Sequence, residues 1–161
     1  MTAQEYNQCV ALYADRVYRF ILKNLKHEQD ARDVVQQAFE ILWVKHEQVD
    51  FKKSRSYLFT TAYNAMIDYL RKVKRMDYVE TVPESAYRPE AEQFELKEIL
   101  QKAVEKLSET QRSVLLLRDY EGYSYKEIAE ITDLSESQVK VYIFRARKKM
   151  QEYLVTAEKA I

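Results

Sequence analysis

An all-α fold follows from three features of the sequence. One glycine and two prolines in 161 residues are too few turn residues for a set of strands and hairpins. Leu, Ala, Glu, Lys, Gln and Arg are abundant instead, and these favour helix. Apolar residues recur at spacings of three and four along most of the chain, the period of a half-buried helix. The expected architecture is two small helical domains joined by a flexible linker, the second a helix-turn-helix domain.

The elements follow in order. Tyr6, Val10, Tyr13, Val17, Phe20 and Ile21 form the first apolar stripe. A second helix is expected from about Asp30 to Lys45, with Val34, Val35, Ala38, Phe39 and Leu42 inward. A third is expected from about Ser54 to Lys74, with Tyr57, Leu58, Thr61, Ala65, Tyr69 and Val73 inward. Together they close a first domain over residues 1–75. The period then stops. Residues 76–93 hold both prolines, Pro83 and Pro89, with scattered acids, and read as an acidic linker. Fully extended, it spans at most about 60 Å, roughly 18 base pairs of duplex.

A second domain is expected over residues 94–161. Its first helix begins at Phe94 and turns Ile99, Leu100, Ala103, Val104 and Leu107 inward. Three helix-start signals of one kind follow: Ser108-Glu109-Thr110-Gln111, Ser124-Tyr125-Lys126-Glu127 and Ser135-Glu136-Ser137-Gln138. In each, the serine hydroxyl can accept from the backbone N–H three residues on, and the Glu or Gln can reach back. Gly122 lies where a left-handed helix end is expected. The last two helices, about Tyr125–Thr132 and Ser135–Met150, are separated by a tight turn at Asp133-Leu134. That is the spacing of a DNA-reading helix-turn-helix.

Formal net charge is zero, but its distribution is uneven. Residues 1–75 carry 13 basic and 9 acidic side chains, and residues 135–161 carry 6 and 3. Residues 76–97 carry 2 and 6, and residues 98–134 carry 5 and 8. Local sign, rather than the total, governs attraction to a polyanion. The last helix suits a duplex. Ser137, Gln138, Lys140 and Val141 in its first turns are placed to meet base edges, and Tyr142, Arg145 and Lys148 to follow the backbone or groove wall. A solvated basic helix face is the plainer alternative for each stretch.

Other function classes find little support. His27 and His46 have no glutamate three residues before them, as a di-metal bundle requires. Cys9, the single cysteine, has no cysteine partner for zinc or a disulfide, which suggests a cytoplasmic protein. One glycine cannot build a phosphate loop. No cofactor, metal or catalytic group is expected. The N-terminus lacks a signal-peptide core, and no apolar run reaches membrane-span length, so direct membrane insertion is not expected.

Three segments carry a family resemblance. LSETQRSVLLLRDYEGYSYKEIAEITDLSESQVKVYIFRARKKM (Leu107–Met150) resembles the fourth conserved region of bacterial sigma factors. DARDVVQQAFEILW (Asp30–Trp43) and SYLFTTAYNAMIDYLRK (Ser56–Lys72) resemble their second region. Order and spacing are similar to the extracytoplasmic-function (ECF) group of the sigma-70 family, which keeps these two domains alone. The resemblance implies a protein without catalytic chemistry that binds core RNA polymerase, brings it to promoter DNA and helps open the duplex. It implies polymerase docking through Asp30, Asp33, Gln36, Gln37, Phe39 and Glu40. It implies contact with the single-stranded minus-ten element through Lys52, Lys53, Ser54, Thr60, Tyr63, Asn64, Asp68 and Arg71. The last helix would read the minus-thirty-five duplex, and an anti-sigma protein would restrain both domains.

The chemistry of these positions is compatible with such roles. Asn64, Asp68 and Arg71 share one helix face, and the aromatics interleaved with Lys and Arg suit unstacked bases on a basic track. Tyr57 and Tyr69 are expected in the core, Tyr63 and Asn64 in contact, and Trp43 in packing. The sequence departs from the family at Gln37, commonly Glu, and at Val141-Tyr142, often Ser and Arg. This apolar pair could meet thymine methyls. The competing reading is a two-domain helix-turn-helix regulator that acts without replacing the sigma subunit.

Overall fold

Thr2 opens the first helix: its hydroxyl accepts from Glu5 N–H, and the Glu5 carboxylate accepts from Thr2 N–H. The computed structural model describes residues 1–76 and 95–159, and every regular element among them is helical. Helix α1 spans Ala3–Leu25, α2 Glu28–Lys45 and α3 Ser54–Met76. In the second domain, α4 spans Glu95–Glu105, α5 Glu109–Leu115, α6 Tyr125–Thr132 and α7 Glu136–Lys159. Most of the expected linker, together with Phe94, lies outside the described residues. Met76 belongs to the last turn of α3.

All three serine boxes form. The hydroxyls of Ser108, Ser124 and Ser135 accept from the N–H of Gln111, Glu127 and Gln138 at 3.3, 3.1 and 3.1 Å, and each partner side chain accepts in return. A wide turn over Leu116–Tyr120 extends α5. Gly122 ends it with φ +75°, a conformation cheap only for glycine. Helix α7 runs past Met150 because no breaker follows. Leu154 and Ala157 continue the stripe of half-buried residues begun at Met150.

Val17, Phe20, Ile21, Ala31, Val34, Ala38, Leu42 and Leu58 are buried where α1, α2 and α3 meet. Val104, Leu107, Leu115, Ile128, Val139, Ile143 and Ala146 are buried in the second domain. Helix α3 differs from expectation. Phe59, Ala62, Tyr63 and Met66 are buried on it, while Val73 is 39% exposed and Tyr57, Thr61 and Tyr69 are half-buried. The physical reason is a second partner. Besides α2, α3 packs against α6, and α1 packs against α5, so the two domains share an interface. There the Phe59 and Tyr123 rings meet edge-on at 5.5 Å.

Candidate nucleic-acid interface

Two surfaces could read nucleic acid, and each is set by what its helix buries. On α7, Val139, Ile143 and Ala146 face the core. At 100° per residue, the opposite ridge is Ser137, Val141, Phe144 and Lys148, all exposed. Val141 is 45% and Phe144 69% exposed. Lys140 and Arg145, both exposed, flank the ridge on either side. Gln138 is exposed, and its oxygen is engaged by the Ser135 cap. Tyr142 departs from expectation: it is half-buried and packs on the core, 100° round the helix from Val141. Phe144 occupies the outward position instead. The signal for it was available in the i, i+3, i+7 pattern Val141, Phe144, Lys148.

The helix-turn-helix holds this ridge in place. Asp133 adopts φ +59° between α6 and α7, and half-buried Leu134 packs against the core. Arg147 is not free for a phosphate. Its guanidinium binds the Asp119 carboxylate at 2.5 and 3.3 Å, and that bond raises its pKa.

The second surface lies on α3. Asn64, Asp68 and Arg71 are exposed along one face, and Lys52 and Lys53 are exposed in the short turn before it. Ser54 corrects the expectation. It is fully buried, and its hydroxyl donates to Phe51 O at 2.6 Å, closing that turn rather than facing DNA. Thr60 is half-buried and donates to Ser56 O at 2.8 Å. Tyr63, expected in contact with the opened strand, is 9% exposed. Burial raises its pKa, with a further rise from Glu109 of the second domain.

On α2, Asp33, Gln36, Gln37 and Glu40 form an exposed polar row. Gln29 donates to Asp33 and Gln36 to Glu40, each one turn on. Phe39 is half-buried, edge-on to Tyr6 at 6.5 Å. Trp43, expected in packing, stacks on His46 at 4.3 Å yet stays 45% exposed. Asp30 is half-buried and accepts a hydrogen bond from the Tyr69 hydroxyl, so α3 fixes its orientation. Burial, that bond and the nearby carboxylates push the Tyr69 pKa up to about 12.

A hydroxyl whose pKa rises on folding holds its proton more tightly in the native state. The stability it contributes is therefore complete below the unfolded value near 10 and is lost as pH rises towards about 12. Tyr69→Phe should accordingly lose less melting temperature than the unaltered chain across that alkaline window. Parallel declines in thermal melts would contradict the linkage.

Among the described residues no cluster of metal-ligating side chains occurs, and no helix is long and apolar enough to cross a membrane. Residues 9–76 match the family model for sigma-70 region 2, and residues 97–150 match that for sigma-70, region 4. The chain is 33% identical over 156 residues to the ECF RNA polymerase sigma factor SigM of Bacillus subtilis, covering 94% of each. Its fold is similar to that of the sigma factor RpoE of Bartonella quintana, solved with the anti-sigma factor NepR (TM-score 0.80, 24% identity, 94% of this chain and 98% of that one). It is also similar to CnrH, solved with the cytosolic domain of CnrY (TM-score 0.69, 27% identity, 94% and 88%). The chain belongs to the sigma-70 family, as a sigma factor of the ECF group that directs RNA polymerase to promoters.

Proposed function

We propose that three surfaces divide the work of promoter recognition. The exposed row Asp33, Gln36, Gln37 and Glu40 on α2, with Asp30 at its start, docks on core polymerase. The α3 face with Asn64, Asp68 and Arg71, led by Lys52 and Lys53, takes the opened minus-ten strand. The α7 ridge enters the major groove of the minus-thirty-five duplex. In this division residues 1–75 carry the first two roles and residues 94–161 the third. The observation that carries the reading is the ridge itself: two exposed apolar side chains between cations, on a helix whose other face is buried. Such a surface suits base edges and methyl groups between two rows of phosphate.

The chain acts in the cytoplasm, without catalytic chemistry of its own. An anti-sigma protein, like the NepR solved with RpoE, is the proposed regulator. Run-off transcription with core polymerase from the host bacterium tests the reading. Promoter-specific transcripts are expected only when the chain is added. Site-specific binding with no such transcript would favour a regulator that leaves the resident sigma subunit in place.

Within the ridge, Val141 and Phe144 are proposed to touch thymine methyls. Holoenzyme binding to promoters with thymine or uracil in the minus-thirty-five element separates this from general packing. Val141→Ala and Phe144→Ala should each weaken binding to the thymine duplex about 5- to 30-fold, the lower part of the range for one base contact, and weaken binding to the uracil duplex far less. Equal losses on both would remove the methyl contact.

A further inference from the structure

Tyr125, the first residue of α6, is held by four contacts. The Ser124 box fixes its backbone: the serine hydroxyl accepts from Glu127 N–H, and the Glu127 carboxylate accepts from Ser124 N–H. Its ring is half-buried against the core. The Arg118 guanidinium lies over that ring at 4.4 Å, and Arg118 is itself anchored by donating to Tyr123 O at 2.9 Å. Arg147, bound to the Asp119 carboxylate, lies beside the Tyr125 hydroxyl. A third cation meets the same ring. Lys140 Nζ is 5.6 Å from the ring centroid, within the reach of about 6 Å over which an aromatic face attracts a cation. Lys140 is exposed and makes no ion pair among the described residues.

This contact falls on the side chain that most needs it. Lys140 flanks the α7 ridge, and its flexible stem samples many rotamers when nothing holds it. Ordering it against a partner costs side-chain entropy. A phosphate tolerates a mobile cation, because lysine serves there as a point charge. A base edge does not: guanine offers O6 and N7 as a fixed pair of acceptors in the major groove. The neighbouring charges refine the placement. Arg118 over the ring and Arg147 at its hydroxyl both repel a third cation. The Lys140 ammonium is thus attracted to the ring and kept at its margin, farther from it than the Arg118 guanidinium.

We propose that Tyr125 is a positioning residue whose ring orients the Lys140 ammonium towards the edge of a guanine in the minus-thirty-five duplex. The ring restricts Lys140 before DNA arrives, so less entropy is lost on binding. The benefit is confined to the base that Lys140 meets, and it appears as selectivity at that pair rather than as general affinity. The aromatic face supplies the attraction, so phenylalanine can replace the tyrosine and an aliphatic side chain cannot. The inference rests on α7 entering the duplex as proposed above, but the contact between ring and lysine is measurable without a promoter.

Two measurements test this. In nuclear magnetic resonance of the free full chain, the Lys140 methylenes should be shifted upfield by the ring. The shift should vanish in Tyr125→Leu and persist in Tyr125→Phe. In holoenzyme binding, each G·C pair of the minus-thirty-five element is replaced in turn by A·T, which sets an amino donor where guanine offers O6. At one position the exchange should weaken the unaltered holoenzyme about 5-fold or more, the lower end for one base contact. Lys140→Ala should abolish that penalty. Tyr125→Leu should cut it about 2- to 5-fold, the worth of an exposed contact between a cation and a ring, and Tyr125→Phe should keep it. Adding Tyr125→Leu to Lys140→Ala should change it no further. Circular dichroism melts report the fold of each variant, and Tyr125→Met serves where leucine disturbs α6. An absent upfield shift, or a penalty that Lys140→Ala or Tyr125→Leu leaves intact, would overturn the proposal and spare the role of α7. Equal weakening on every duplex in Tyr125→Leu would also overturn it, and would set the tyrosine against phosphate. An upfield shift in a chain whose holoenzyme ignores every pair of the element would sink the reading of that duplex by α7, and the orienting role with it.

Discussion

Arg112→Leu is expected to destabilise the second domain by about 3 kcal/mol, because it takes a charged donor away from several carbonyls at once, at about 1–3 kcal/mol for each one left buried and unpaired. Arg112 is 9% exposed. Its guanidinium donates to Val104 O at 3.2 Å, Glu105 O at 3.3 Å and Leu107 O at 2.9 Å, and to Asn24 O at 3.3 Å across the interface. Val104 and Glu105 lie at the C-terminal end of α4, where carbonyls have no partner within the helix. The arginine therefore caps α4 from outside it, at the end whose partial charge favours a cation. Burial lowers its pKa, against the opposing effect of Glu105 and Glu109. Leucine fills similar space but leaves Glu105 O and Leu107 O without the guanidinium donor, at about 1–3 kcal/mol for each one that water cannot reach, while Val104 O keeps the Leu107 N–H at 3.1 Å. Lysine keeps the charge but lacks the fork, so Arg112→Lys should recover only part of the loss. For a domain of this size, 3 kcal/mol corresponds to roughly 12 °C or more in melting temperature. Urea and thermal unfolding check it, and a change below about 1 kcal/mol would mean that water or neighbouring groups satisfy those carbonyls.

Nothing in SETQRSVLLL marks Arg112 as a buried charge, and this shows where sequence reasoning stops. Signals confined to four neighbouring residues were legible. Each capping box depends on one serine and the residue three on, so Ser108, Ser124 and Ser135 marked helix starts whatever packed around them. Gly122 was legible for the same reason: its conformation is local. Features that depend on a second body were not. The apolar width of α3 is visible in the sequence, but not that Phe59 and Tyr63 face another domain while Tyr69 reaches Asp30. Ser54 sits beside two lysines and reads as surface, yet its burial follows from the closing of a single turn. Tyr142 and Phe144 differ by only two positions on α7. A tyrosine can lie at the edge of a core with its hydroxyl outward, so the phenylalanine is left on the ridge, the reverse of what hydrophobicity alone suggests.

On that ridge, charge and apolar contact should separate by their response to salt. Arg145 and Lys148 are exposed and make no ion pair among the described residues, so both are available to phosphates. If each neutralises one phosphate, Arg145→Ala with Lys148→Ala should lower the slope of log affinity against log salt by about 1.8, since duplex DNA releases about 0.9 counterion per contact. Holoenzyme binding to a promoter duplex between roughly 50 and 200 mM salt covers the range in which that term dominates. Phe144→Ala should weaken binding with its slope unchanged, because a methyl contact releases no ions. Arg147→Ala supplies the internal control. Its charge is already engaged by Asp119, so its loss should appear mainly in the melting temperature of the second domain and little in the slope. A slope that falls equally for Arg147 and for Arg145 would place the phosphate track on the Asp119 side of α7, and the ridge would then face away from the groove.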